Sequence, residues 1–260
     1  MTYPAFLGAV VLTSANNRIR IRESATTYNA DITPGTYFLR DDGTASSLCT
    51  AIATALTNAS AGGNSYTCVH QLNQSPASLT NQITVSLSVM VDSFSLVRDG
   101  TQTFDYDLIG ISATTSHDTG AKGSDRPCAA AWVSNDGYGE FIRRSRKVAS
   151  QSMASSGRAA QVERSDRMYA YMMALKFVDE RRLFRDLALS GYTANSLEAF
   201  LDRFGAGAYF ELHDLEISSG TTLTDCSSST LLATCQWDES TITDFEPDLV
   251  GAEIDLYDLS

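Results

Sequence analysis

Three stretches of this chain alternate apolar and polar residues with period two, and that pattern limits the fold to one built on half-buried strands. They are Asn17–Glu23 (Asn-Arg-Ile-Arg-Ile-Arg-Glu), Tyr66–Leu72 and Gln82–Val91. In a strand, alternate side chains point to opposite faces, so Arg18, Arg20 and Arg22 are expected to face out while Ile19 and Ile21 face the core. The second and third stretches are separated by Asn73-Gln-Ser-Pro-Ala-Ser, which has the composition of a turn. Phe94–Val97 reads as another short strand.

Between the first two alternating stretches lies a strand, a corner and a helix. Pro34 fixes φ and Gly35 tolerates positive φ, so the chain can turn sharply between Ile32 and Tyr37. A second turn follows at Asp41-Asp42-Gly43. Thr44 is in place to cap a helix in which Leu48, Ile52 and Leu56 recur at i, i+4 and i+8 on one buried stripe. A second helix is expected at Asn195–Phe204, where Asn195 and Glu198 have capping-box spacing and Gly205 stops the run.

At 260 residues and 43% hydrophobic the chain is long enough to bury a substantial core. Three segments are expected: a strand-rich unit with one helix over residues 1–112, a basic polar loop or arm over 113–166, and a strand-rich unit with one short helix over 167–260. In the last, Arg167–Val178 is apolar and aromatic enough to favour strand over helix. Ala208–Ile217, Thr230–Trp237 and Glu253–Leu259 read as further strands. The fold class is therefore α+β, mainly β, with antiparallel sheets or sandwich- or barrel-like units. The apolar start, Met1–Thr13, lacks the basic region of a signal peptide and is too short to span a membrane. It is expected to form an edge strand that pairs with a neighbouring subunit.

Charge is distributed unevenly. The formal net charge of −12 disfavours direct nucleic-acid binding driven by phosphate neutralisation. Yet Arg143, Arg144, Arg146, Lys147, Arg158, Arg164 and Arg167 fall within 25 positions, whereas Gln236–Ser260 holds eight acids and no Lys or Arg. Complementary segments of this kind steer and register contacts between copies. Arg143, Arg144, Arg146 and Lys147 on one side, and Asp244, Glu246 and Asp248 on the other, are the candidate subunit-contact residues. A head-to-tail contact generates rings or tubes.

No signature of catalysis is present. The chain contains no G-x-S-x-G elbow, no P-loop, no G-x-G-x-x-G and no H-E-x-x-H. No catalytic residue, cofactor site or metal site is assigned, and the chain is not expected to be an enzyme. His70 and His213 lie in strand patterns, where a structural imidazole is expected, and His117 lies in a Ser/Thr-rich loop. The Asp41-Asp42-Gly43 and Asp105-Tyr-Asp107 groups fall short of a calcium loop's ligand count. The five cysteines show no zinc spacing and are expected to be buried free thiols, with Cys226 and Cys235 placed to pair if a hairpin forms between them.

The corner Ile32-Thr-Pro-Gly-Thr-Tyr37, the helix Ser47–Leu56 and the closing Leu108-Ile-Gly-Ile111 together resemble a recurring module of tailed-virus structural proteins. Ala174–Arg181, Leu197–Phe204 and Gly207–Leu212 are similar to elements of minor or distal tail proteins. Together these stretches cover about half the chain; Cys49 stands where the helix usually has Ala. The resemblance carries over no catalytic residue. It implies a virion component of the tail tube, distal tail or baseplate, assembled in the host cytoplasm. Such a protein forms a symmetric homo-oligomeric ring, contacts other tail proteins, and does not insert into a membrane. A head or connector protein, or a host-surface or carbohydrate-binding module, is the alternative.

Overall fold

The computed structural model describes residues 2–71, 81–88, 92–133, 140–153, 159–179, 188–189, 192–193, 197–204, 209–216, 230–246 and 249–258. In chain order the first strands are β1 (Thr2–Gly8), β2 (Val10–Leu12), β3 (Arg18–Glu23), β4 (Thr26–Asp31) and β5 (Gly35–Tyr37), followed by helix α1 (Leu48–Ala59). Then come β6 (Tyr66–Gln71), β7 (Gln82–Leu87), β8 (Phe94–Leu96), a 3-10 turn (Tyr106–Ile109), β9 (Lys122–Gly123) and β10 (Ala131–Val133). The remainder comprises β11 (Glu140–Met153), β12 (Ala159–Asp179), β13 (Ala188–Leu189), β14 (Tyr192–Thr193), helix α2 (Leu197–Phe204), β15 (Phe210–Glu216), β16 (Thr230–Glu246) and β17 (Leu249–Asp258). The protein is mainly β, and every paired strand is antiparallel.

The largest sheet has seven strands in the order β10-β1-β15-β16-β17-β12-β11. Smaller sheets are β4-β3-β8, β6-β7-β9, β2-β5 and β13-β14. The period-two stretches behave as their pattern dictates. Along β3, Ile19, Ile21 and Glu23 are buried while the three arginines turn outward, and β6 pairs in register with β7 from Tyr66↔Leu87 to Gln71↔Gln82. The turn expected at residues 73–78 lies outside the described residues.

The corner and helix form as the sequence indicates, with one change. The Tyr37 hydroxyl donates to the Thr33 carbonyl at 2.6 Å and holds the corner closed. Helix α1 buries Leu48, Cys49, Ile52, Ala55 and Leu56, and each of the three large aliphatic side chains contributes roughly 2 kcal/mol. The cap is Ser47, whose hydroxyl oxygen accepts from the Thr50 amide at 3.2 Å. Thr44, the expected cap, instead bonds through its own amide to Asp42 Oδ1 at 3.1 Å. The Asp-Gly turn absorbs three more residues before the helix begins.

The apolar start is not an edge strand. β1 lies between β10 and β15, with Phe6 facing Trp132 in register on one side and Leu212 on the other. Ala5, Phe6 and Leu7 are all fully buried; three consecutive buried apolar residues mark a strand covered on both faces. Phe6 is the centre of an aromatic cluster, stacked on Trp132 at 5.2 Å and tilted against Phe210 at 5.0 Å and Phe200 at 5.9 Å. One hydrophobic cluster runs from Ala5 to Leu212 and includes α1, β6, β7, the 3-10 turn and α2.

From Glu140 onward the chain differs from the polar loop expected over 113–166. Residues 140–153 and 159–166 belong to two long paired strands. Their Ser-, Arg- and Ala-rich sequence has no clean alternation, so the strands are specified by pairing partners more than by their own pattern. Farther on, β16 and β17 are both longer than the sequence suggests. Asn195 and Ser196 of the expected capping box, and Cys226, lie outside the described residues.

Candidate assembly surfaces

β11 and β12 form a hairpin that outruns β17, the strand paired with it in the sheet. They pair from Glu140↔Ala174 to Met153↔Ala159. β17, on the other side of β12, begins pairing only at Ala170↔Tyr257 and continues to Asp179↔Leu249. Among the described residues, the part of β12 from 159 to 169 is therefore paired on one side only. At about 3.4 Å per residue this two-stranded ribbon runs on the order of 35 Å past the end of β17. A bulge interrupts it between Lys147 and Ala149.

The basic residues singled out in the sequence sit where the ribbon passes the end of β17. Arg143 pairs with Tyr171 and Arg144 with Ala170, at the last positions supported by β17, while Arg146 pairs with Met168 and Lys147 with Arg167 on the ribbon itself. The acidic set occupies the other end. Asp244 pairs with Val250 and Glu246 with Leu249, at the closing end of the β16–β17 hairpin, which adjoins Asp179 at the far end of β12. Asp248 lies outside the described residues. Within one chain the two sets are separated by β17 and β12 and stand level with opposite ends of β17 along the strand direction.

A buried charge network that the sequence does not announce ties the corner to this sheet. Arg40, between β5 and α1, donates from Nη1 to Glu211 Oε2 at 3.0 Å. His213 Nε2 lies 2.9 Å from the same oxygen. Arg40 Nε is 3.2 Å from Asp42 Oδ2, its Nη2 donates to Ser46, and the guanidinium lies 5.6 Å from the centre of the Phe38 ring. Glu211 and His213 are both buried and stand two residues apart on β15. That i, i+2 spacing of an acid and an imidazole on one strand face is the only trace the network leaves in the sequence.

The other histidines and acids have structural surroundings. His70 Nε2 meets Asn81 Oδ1 at 2.8 Å, and the Asn81 amide donates to the Cys128 and Ala131 carbonyls. Burial pushes the His70 imidazole down to about 4, so it is neutral at pH 7. His117 is exposed. Glu23, the buried last residue of β3, accepts from the Tyr66 hydroxyl at 2.6 Å and from Asn64 Nδ2 at 3.2 Å. Burial alone would raise its pKa, but hydrogen bonds from Tyr66, Ser60, Asn64 and the Gly62 backbone hold it below the usual value.

Asp105 caps the 3-10 turn and pairs with Arg203, and Asp107 pairs with Arg98 at 2.9 Å. Asp41 accepts from the His70 amide at 3.2 Å. Among the described residues no group of three His, Cys, Asp or Glu side chains is arranged to hold a metal ion. A groove of about 280 Å³ runs beside β2, lined by Val11, Asn16, Leu108, Arg203 and Phe204 among others. Val11 is 57% exposed at its margin.

No family model matches this chain, and no curated protein matches it by sequence.

Proposed function

We propose that this chain is a structural component of a viral tail, in the tail tube, distal tail or baseplate region. It assembles as a ring through strand and loop contacts with copies of itself and with other tail proteins. The observation that carries this reading is the projecting β11–β12 ribbon. A two-stranded ribbon is at best marginally stable by itself in water, and its open backbone edges are pairing sites. A neighbouring subunit covers both needs.

Charge supports the same arrangement. The basic residues Arg143, Arg144, Arg146 and Lys147 level with one end of β17 and the acidic Asp244 and Glu246 level with the other suit a head-to-tail contact, which closes into a ring when the rotation permits. The resemblance of the corner–helix module and the C-terminal elements to tail proteins supplies the viral context. The test is charge reversal. Changing Arg143, Arg144 and Arg146 together to Glu converts assembled protein to monomer in size-exclusion chromatography with light scattering, and raised salt weakens the wild-type assembly. Assembly indifferent to both overturns the reading.

A further inference from the structure

Two long strand edges of the seven-stranded sheet have no pairing partner among the described residues. β11 ends the sheet order, so its outer edge is open along all 14 residues, Glu140–Met153. β16 supplies the second. β15 pairs with it only from Asp214↔Thr230 to Phe210↔Cys235, whereas β17 pairs with it as far as Glu246. Residues 236–246 are therefore paired on the β17 side alone. Folded chains ordinarily blunt such edges with short strands, proline or a bulge. Neither stretch contains proline, and β10, at the far side of the sheet, has only three residues. The two edges are instead opposite in charge. Residues 140–153 carry Arg143, Arg144, Arg146 and Lys147 against Glu140, and 236–246 carry Asp238, Glu239, Asp244 and Glu246 with no Lys or Arg. Like charges set opposite one another across a strand pair destabilise it and opposite charges support it, so each edge disfavours a second copy of itself and favours the other.

We propose that β11 of one copy adds along residues 236–246 of β16 in the next copy, so that the sheet runs unbroken from subunit to subunit. This rests on the assembly reading above and deepens it by naming the two edges that meet. The strands β16, β17, β12 and β11 are neighbours in that order and alternate in direction, so the outer two run opposite ways. A copy related by rotation about an axis along the strands presents β16 antiparallel to β11, as in every strand pair described within the chain. Charge disfavours β11 against β11 and β16 against β16, which leaves the head-to-tail contact that a ring requires. Arg144 stands level with Gln236 through Ala170 and Tyr257, so an undisplaced neighbour sets only residues 140–144 beside the open part of β16. A neighbour displaced along the strands toward the ribbon tip brings 145–153 beside it as well. Such stagger is inherent in a closed sheet of tilted strands.

Exchanging charge between the edges tests the pairing. One full-length variant carries Arg143→Glu, Arg144→Glu and Arg146→Glu; the other carries Asp238→Lys, Glu239→Lys, Asp244→Lys and Glu246→Lys. Each then has two edges of one sign, so each alone is monomeric in size-exclusion chromatography with light scattering. Mixed in equal amounts they restore assembled species that contain both variants, because every contact in an alternating array is complementary again. A β16 variant that assembles as the wild type does, or a mixture that stays monomeric, overturns the proposal. Should either variant fail to fold, hydrogen exchange of the wild type decides. Assembly slows amide exchange in both 140–153 and 236–246 by at least about tenfold relative to protein dissociated by dilution, and either stretch left at its dissociated rate overturns the pairing. An assembled wild type whose edges stay open defeats this inference and leaves the tail reading standing, whereas a wild type that never assembles defeats both.

Discussion

Replacing Glu211 with Gln tests whether the Arg40–Glu211–His213 network holds the corner–helix module to the seven-stranded sheet. The substitution keeps the shape of the side chain and removes its charge. It leaves Arg40, whose side chain is 14% exposed, without the carboxylate 3.0 Å from Nη1. Removing one partner of a buried ion pair costs about 3–5 kcal/mol, because the other charge stays buried without compensation. Asp42 remains 3.2 Å from Arg40 Nε and offsets part of this, so the expected loss is about 3 kcal/mol. The new amide can still hydrogen-bond His213, which therefore adds little. Urea unfolding at unchanged slope should show a midpoint lower by roughly 1 M or more. Arg40→Met combined with Glu211→Gln should cost less than the two single changes added together, since in the double variant neither the Arg40 nor the Glu211 charge is left buried without the other. A loss below about 1 kcal/mol, with additive behaviour in the double variant, would show that Asp42 alone neutralises Arg40 and would refute the reasoning.

Gly110→Ala should be costly. Gly110 has φ +70°, and an added Cβ would lie 2.1 Å from the Arg126 carbonyl oxygen; the left-handed backbone and the forced shift together should lower stability by at least about 2 kcal/mol, and a near-neutral thermal shift would contradict the packing described. His70 should make stability depend on pH. Its imidazole has a pKa of about 4 when folded against an ordinary 6.5, so the unfolded chain takes up the proton first, and stability that is complete above pH 6.5 falls as pH drops toward 4, by up to about 1.4 kcal/mol per pH unit. His70→Gln removes that slope, and parallel profiles for variant and wild type across this window would count against it. Tyr66→Phe deletes the 2.6 Å hydrogen bond to Glu23 and should cost about 1–3 kcal/mol while raising the Glu23 pKa, observable by carboxyl NMR titration; an unmoved Glu23 would disprove the role given to the hydroxyl.

Much of the fold is legible in the sequence because local pattern and tertiary context agree over those stretches. The alternation in β3, β6 and β7 and the Leu48–Ile52–Leu56 stripe each name a buried face. Where they part, the sequence misleads. Ala5-Phe6-Leu7 has a run too short to distinguish an edge strand from a central one, and only its two neighbours, β10 and β15, decide the matter. Thr44 and Ser47 are both competent caps, and the Asp42-Gly43 turn chooses between them. Residues 140–153 carry too many Ser and Arg to read as a strand. The basic and acidic segments are legible as opposites, but their placement level with opposite ends of β17 depends on the register of β12 with β17 and of β17 with β16. Arg40 and Glu211 are 171 residues apart, and no local signal joins them.

Electron microscopy of the purified full-length protein, read together with its mass in solution, tests the assembly account most directly. The account predicts closed rings with a central lumen, in which the β11–β12 ribbon of each subunit lies against its neighbour. A compact monomer at every concentration and salt condition, with the ribbon free in solvent, would contradict it.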